Sequence, residues 1–253
     1  MNATVKKQTT PIIATVANDN ILLQKQNLAK KYELTSEMKT VKDLLSDRVR
    51  TIYRIRALRD FGSVKAGDLG GFIQSESNLS HEGDCWVGDD ARVFDDAKIS
   101  DNAQVFGHAD VFGKARICDN AQVFEYGSVY DSAKVYDNAK VCGSSYVYKR
   151  ARVFNNAEVR DKAVIKGNAK VYDNAFVTGF AKVFGNARVF GDANVWFGAL
   201  IYGSAWVYGN AQITGWTNVY DKASVSGNAY VDTKELNGDS KISGDEKIID
   251  KAA

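Results

Sequence analysis

The chain has 253 residues, a formal net charge of +2 and one proline, Pro11. So small a charge gives no gross preference for polyanions or acidic membranes, and no apolar run approaches the ~20 residues of a membrane-spanning helix. The three cysteines, Cys85, Cys118 and Cys142, lack zinc-site spacing and cannot pair without breaking the register described below, which suits a reducing, cytoplasmic setting.

Residues 1–20 read as disordered. Lys6 and Lys7 before Pro11–Ala17 look faintly like a secretion signal, but the apolar stretch is too short to act as one. Asn20–Lys31 predicts a short helix, and Tyr32–Thr35 and Val49–Leu58 predict strands. The expected organisation is an N-terminal extension over 1–50, a β cap over 51–86, a repeat region over 87–232, and a frayed last coil or cap over 233–253. In the cap, Ile73 and Leu79 keep a spacing of six, but Val87 lies eight beyond Leu79, so two residues bulge there.

From Val87 to Val231 every sixth residue is Val or Ile, twenty-five rungs without a skip. Two residues before each rung stands Ala at twenty-one of them, and Cys85, Gly127, Ser145 and Thr217 at the others. Residues two apart on a strand point to one side, so each unit puts two small or branched side chains inward. The next two residues form a corner. Its first position is Gly at eleven rungs and Asp at nine, its second Asn at nine, residues that tolerate the left-handed backbone of a tight turn. A period of two within units and six between them excludes helix. Three such sides close an eighteen-residue triangular coil. Twenty-five rungs make about eight coils, roughly 40 Å of stack at the sheet spacing.

The pattern resembles the hexapeptide-repeat family of left-handed parallel β-helices, and that resemblance alone implies the left hand. The entry segment FGSVKAGDLGGFIQSESNLSHEGDCWV, residues 61–87, resembles the cap of the YdcK-like group of bacterial and prophage proteins, which are labelled acyltransferases on fold grounds. The fold class expected is therefore all-β: a single-stranded left-handed solenoid with a small N-terminal cap.

Residues eighteen apart share a face. The first face carries Lys98, Arg116, Lys134, Arg152, Lys170 and Arg188 before its rungs, and Tyr136, Phe154, Tyr172, Phe190 and Tyr208 after them. Cations and rings together suggest polyanion or nucleic-acid binding. The adjoining corner repeats Asp101, Asp119, Asp137, Asn155 and Asp173; this ladder can compensate the cations and would repel phosphate, so a self-compensating surface is the preferred reading. The second face carries Phe94, Phe112, Tyr130, Tyr148, Phe184, Tyr202 and Tyr220, interrupted by Lys166, and reads as a ladder shielding backbone. The third is irregular. Phe176, Phe180, Trp196, Phe197 and Trp216 fall within three neighbouring coils on it or its corner, and a contiguous aromatic cluster marks an interface.

The resemblance implies one enzymatic possibility, an acyl-CoA-dependent acyltransferase with a histidine base, taking acetyl-CoA. Its base would have to be His81 or His108, since the chain has two histidines. The uninterrupted rungs leave no projecting loop to build the usual pocket. The expectation is thus a cytoplasmic, non-catalytic scaffold without cofactor or metal, joining copies of itself as a dimer or trimer or recognising a host protein, with nucleic acid and membrane disfavoured.

Overall fold

A computed structural model describes residues 30–42 and 49–250. It is all-β, a parallel solenoid of about ten turns with eighteen residues per coil. The three sides are sheets of nine, twelve and ten strands, corresponding to the first, second and third faces. Each rung pairs with the one eighteen residues on, as Val135 with Val153 and Val153 with Val171. Backbone ladders join the coils: Lys134 N–H donates to Ala151 O at 3.0 Å and Tyr136 N–H to Val153 O at 3.1 Å.

The inward pairs are sealed, with Ala151, Val153, Ala157 and Val159 at zero exposure. A column this narrow admits nothing bulkier than Ile at its rungs, which is why the small residue two before each is obligatory. Every first corner residue from Asp89 to Gly227 has positive φ. Among them the non-glycine residues are Asp, Glu, Asn or Lys, with the single exception of Phe197 at φ 57°.

The cap is a hairpin. Strand β1, Tyr32–Lys42, runs antiparallel to β2, Val49–Ala57, which runs antiparallel to β3, Leu69–Ile73. Strand β3 then pairs in parallel with Arg92–Val93, so the hairpin extends the second-face sheet and covers its first edge. Strand β1 runs on to Lys42, well past the Tyr32–Thr35 expected, because β2 offers a long partner. The expected disorder of 1–20, and the expected helix over Asn20–Lys31 except its last two residues, lie outside the described residues. Lys30 and Lys31 are not helical. Leu79 bridges to Ile99, and the extra residues before Val87 form the bulge.

At the other end Leu236, Ile242 and Ile248 pair with Val219, Val225 and Val231. The segment after Val231 is a last, largely exposed coil whose inward rungs are half-buried and which pairs with all three sheets.

Candidate functional site

The corner between the third and second faces is where the repeat gives up its rules. Stacked at its second position are His108, Tyr126, Ser144, Lys162, Phe180, Gly198 and Trp216. Tyr126 is 61% exposed, Phe180 55%, Phe197 63% and Trp216 77%. The cluster expected from the sequence divides here: Phe180, Phe197 and Trp216 stand out at the corner, whereas Phe176 and Trp196 lie half-buried on the flat of the third face. Among the described residues none of the five rings stacks on another. Lys162 Nζ lies 5.2 Å from the Phe180 ring and the Arg160 guanidinium 5.9 Å from Phe176, weak cation–π contacts at exposed sites. An open groove lined by Gly143, Ser144, Asp161, Lys162, Gly179 and Phe180 follows this edge.

Two details show how the edge is built. Gly198 is buried beneath the Trp216 indole; a β-carbon on it would come within 2.3 Å of that ring, so only glycine provides the seat. On this corner Asp89, Glu125 and Asp161 each accept a hydrogen bond from the backbone N–H of the glycine one coil on, at 2.9, 2.7 and 3.2 Å. Phe197 occupies the next position in that two-coil series, before Gly215, and has no acceptor to offer.

The first face differs from expectation in its carboxylates, not in its rings. Its corner carboxylates form no ion pair with its cations among the described residues. Asp119, Asp137 and Asp173 each accept a backbone N–H one coil on, at 3.2, 3.0 and 3.2 Å, while the Asn side chains link coil to coil from Asn102 to Asp192 at 2.8–3.1 Å. Among the described residues, Arg116, Lys134, Arg152 and Lys170 have no ion pair within 4.0 Å. Lys98 instead donates to Ser77 O at 2.6 Å, and Arg188 lies 5.1 Å from the Trp206 ring. The rings, in turn, cannot stack on bases. Tyr136, Phe154, Tyr172, Phe190 and Tyr208 lie face to face at 4.8–5.0 Å with planes within 5°, so only their edges meet solvent.

The two histidines lie at different corners of neighbouring coils. His81 belongs to the cap: its ring stacks on Tyr32 at 4.4 Å, its Nδ1 accepts the Lys31 N–H at 3.2 Å, and Nε2 lies 3.6 Å from Glu76 Oε2. Burial holds its pKa below the ordinary value. Beside it the fully buried Lys31 ammonium donates to Cys85 O at 2.8 Å and Gly83 O at 3.2 Å, with Cys85 Sγ at 3.2 Å. Burial lowers the Lys31 pKa and raises that of Cys85. The arrangement ties β1 to the bulge after Leu79. His108 is exposed and stacks on Tyr126 at 5.1 Å.

Asp101, Cys118 and Asp119 place possible metal-ligand atoms within 4.8 Å of one another. Asp101 Oδ2 already accepts from Ser100 Oγ at 2.7 Å, and burial pushes the Cys118 thiol up to about 12, so its thiolate is scarce near neutrality. Cys142 sits at an outward position but is covered. No helix among the described residues is long and apolar enough to cross a membrane.

No protein-family model matches the chain, and no curated protein matches it at a significant level.

Proposed function

We propose that the protein is a non-catalytic recognition scaffold that associates through its aromatic corner edge, first with copies of itself as a dimer or trimer. The observation that carries this is Phe197. It holds a left-handed backbone that every other non-glycine corner gives to Asp, Glu, Asn or Lys, it forgoes the acceptor its position normally supplies, and its ring is 63% exposed. Strain kept together with exposure serves something other than the isolated fold. Rotational symmetry lets each copy present the same strip, so Phe180, Phe197 and Trp216 form the centre of the contact and Phe176 and Trp196 its flank. A cytoplasmic location, the left hand of the coil, and a place near the YdcK-like hexapeptide proteins belong to the same reading. The location rests on the three free cysteines, and the other two on the sequence resemblance, which also makes a host protein the alternative occupant.

Sedimentation velocity tests this. The wild-type chain is expected to sediment above monomer mass, and Phe180→Ser with Trp216→Ser to sediment as a folded monomer. A wild-type monomer at high concentration overturns self-association and leaves the edge to a foreign protein. The acyltransferase alternative needs His81 or His108 as base. Calorimetry with acetyl-CoA is expected to show no binding, and a turnover abolished by His108→Ala would replace the scaffold reading.

A further inference from the structure

The first face repeats chemically every two coils, not every one. Its cations alternate strictly: Lys98, Arg116, Lys134, Arg152, Lys170, Arg188. Over the last four of these coils the neighbouring rings alternate in step: Lys134 and Lys170 accompany Tyr136 and Tyr172, while Arg152 and Arg188 accompany Phe154 and Phe190. Paired coils thus present one ammonium, one guanidinium and one phenol hydroxyl. With ring centroids advancing 4.8–5.0 Å per coil, that repeat is roughly 10 Å along a straight axis. Arg116, Lys134 and Arg152 are exposed and Lys170 half-exposed, all without a carboxylate partner. The ring ladder lies between these cations and the Asp corner, whose carboxylates are turned to backbone N–H groups.

The row ends on an aromatic. In the next coil the cation position is Trp206, 42% exposed. Its ring stands at 75° to Phe190, with centroids 6.2 Å apart. It stands in the cation column, beside the stack that Tyr208 continues, and the Arg188 guanidinium from the coil below lies 5.1 Å from its ring.

From this we infer that the first face binds a linear acidic polysaccharide with a disaccharide repeat and one carboxylate per repeat. A pyranose is about as long as one coil is high, so one disaccharide spans one Lys–Arg pair. The planar Arg fork suits a carboxylate and the ammonium a point contact beside it. The tyrosine hydroxyls can meet sugar hydroxyls, and Trp206 gives a terminal sugar an apolar platform. Single-stranded nucleic acid fits less well, because it needs ring faces to stack on and the ladder closes them. Duplex phosphates follow a helix and leave a straight row after a few contacts.

The test is calorimetry of the full chain with an octasaccharide of alternating glucuronate and N-acetylhexosamine. A neutral cello-oligosaccharide, inorganic polyphosphate and oligouridylate serve as comparison ligands. The acidic octasaccharide is expected to bind best, with affinity falling as salt rises. Lys134→Gln with Arg152→Gln should weaken it at least tenfold, and Trp206→Ala should weaken it with melting temperature unchanged. Binding of polyphosphate or oligouridylate as tightly as the glycan would overturn the proposal, leaving only charge attraction. So would absence of binding, or binding that neither variant alters. Because Phe180 and Trp216 lie on another corner, their Ser variants should bind the glycan like wild type. Failure of self-association and failure of glycan binding are therefore separate results.

Discussion

At the residue scale the chain is governed by what the first corner position must do. Its left-handed backbone costs an ordinary side chain about 1–2 kcal/mol. Asp and Glu offset part of that by accepting the next coil's N–H, as Asp161 does from Gly179 at 3.2 Å. Phe197 offsets none of it that way. Phe197→Gly should therefore raise the melting temperature by a few degrees while weakening association. Phe197→Asp should do the same and restore the acceptor for Gly215, a gain of about 0.5–1.5 kcal/mol. Thermal melts alongside sedimentation check both; if either variant melts lower than wild type, the backbone at Phe197 is not strained and the case for a functional edge loses its main support.

The element is a strand with two inward side chains and a corner. Val153 is fully buried in a column without polar groups beside it, whereas Arg152, the preceding residue, is exposed. Val153→Asp should cost ~3 kcal/mol or more by burying an unpaired carboxylate, and Arg152→Ala no more than ~0.5 kcal/mol. Equal shifts in chemical denaturation would contradict the alternation of faces. This much was legible in the sequence because it is local: the rungs, the small partners and the positive-φ corners all follow from a six-residue period. What the carboxylates do between coils was not. Asp137 could pair with a cation or with an N–H, and only the corner geometry, which aims its oxygen at the next coil, decides for the N–H of Asn155. The stacking of Tyr136 on Phe154, by contrast, follows from rings repeated eighteen residues apart. In the cap, nothing periodic marked the buried Lys31, which is held by Cys85, 54 residues on, or the full length of β1, which is set by its pairing with β2. At the candidate edge all five aromatics were visible as breaks in the repeat, but not the strain at Phe197 or the seat that Gly198 makes for Trp216.

At the scale of the whole molecule, about ten turns make a rod roughly 48 Å long, with different chemistry on each side and differently treated ends. The hairpin β1–β2 covers one edge at the start. At the finish the last coil carries Lys241, Asp245, Glu246 and Lys247, charges of the kind that blunt an open sheet edge against stacking. Association should accordingly run side by side along the aromatic edge, not end to end. Small-angle X-ray scattering across a concentration series tests this most directly. Side-by-side association thickens the particle's cross-section while its long dimension stays close to that of one rod. A doubled length with unchanged cross-section, or a single rod at every concentration, would contradict self-association through the edge of Phe180, Phe197 and Trp216.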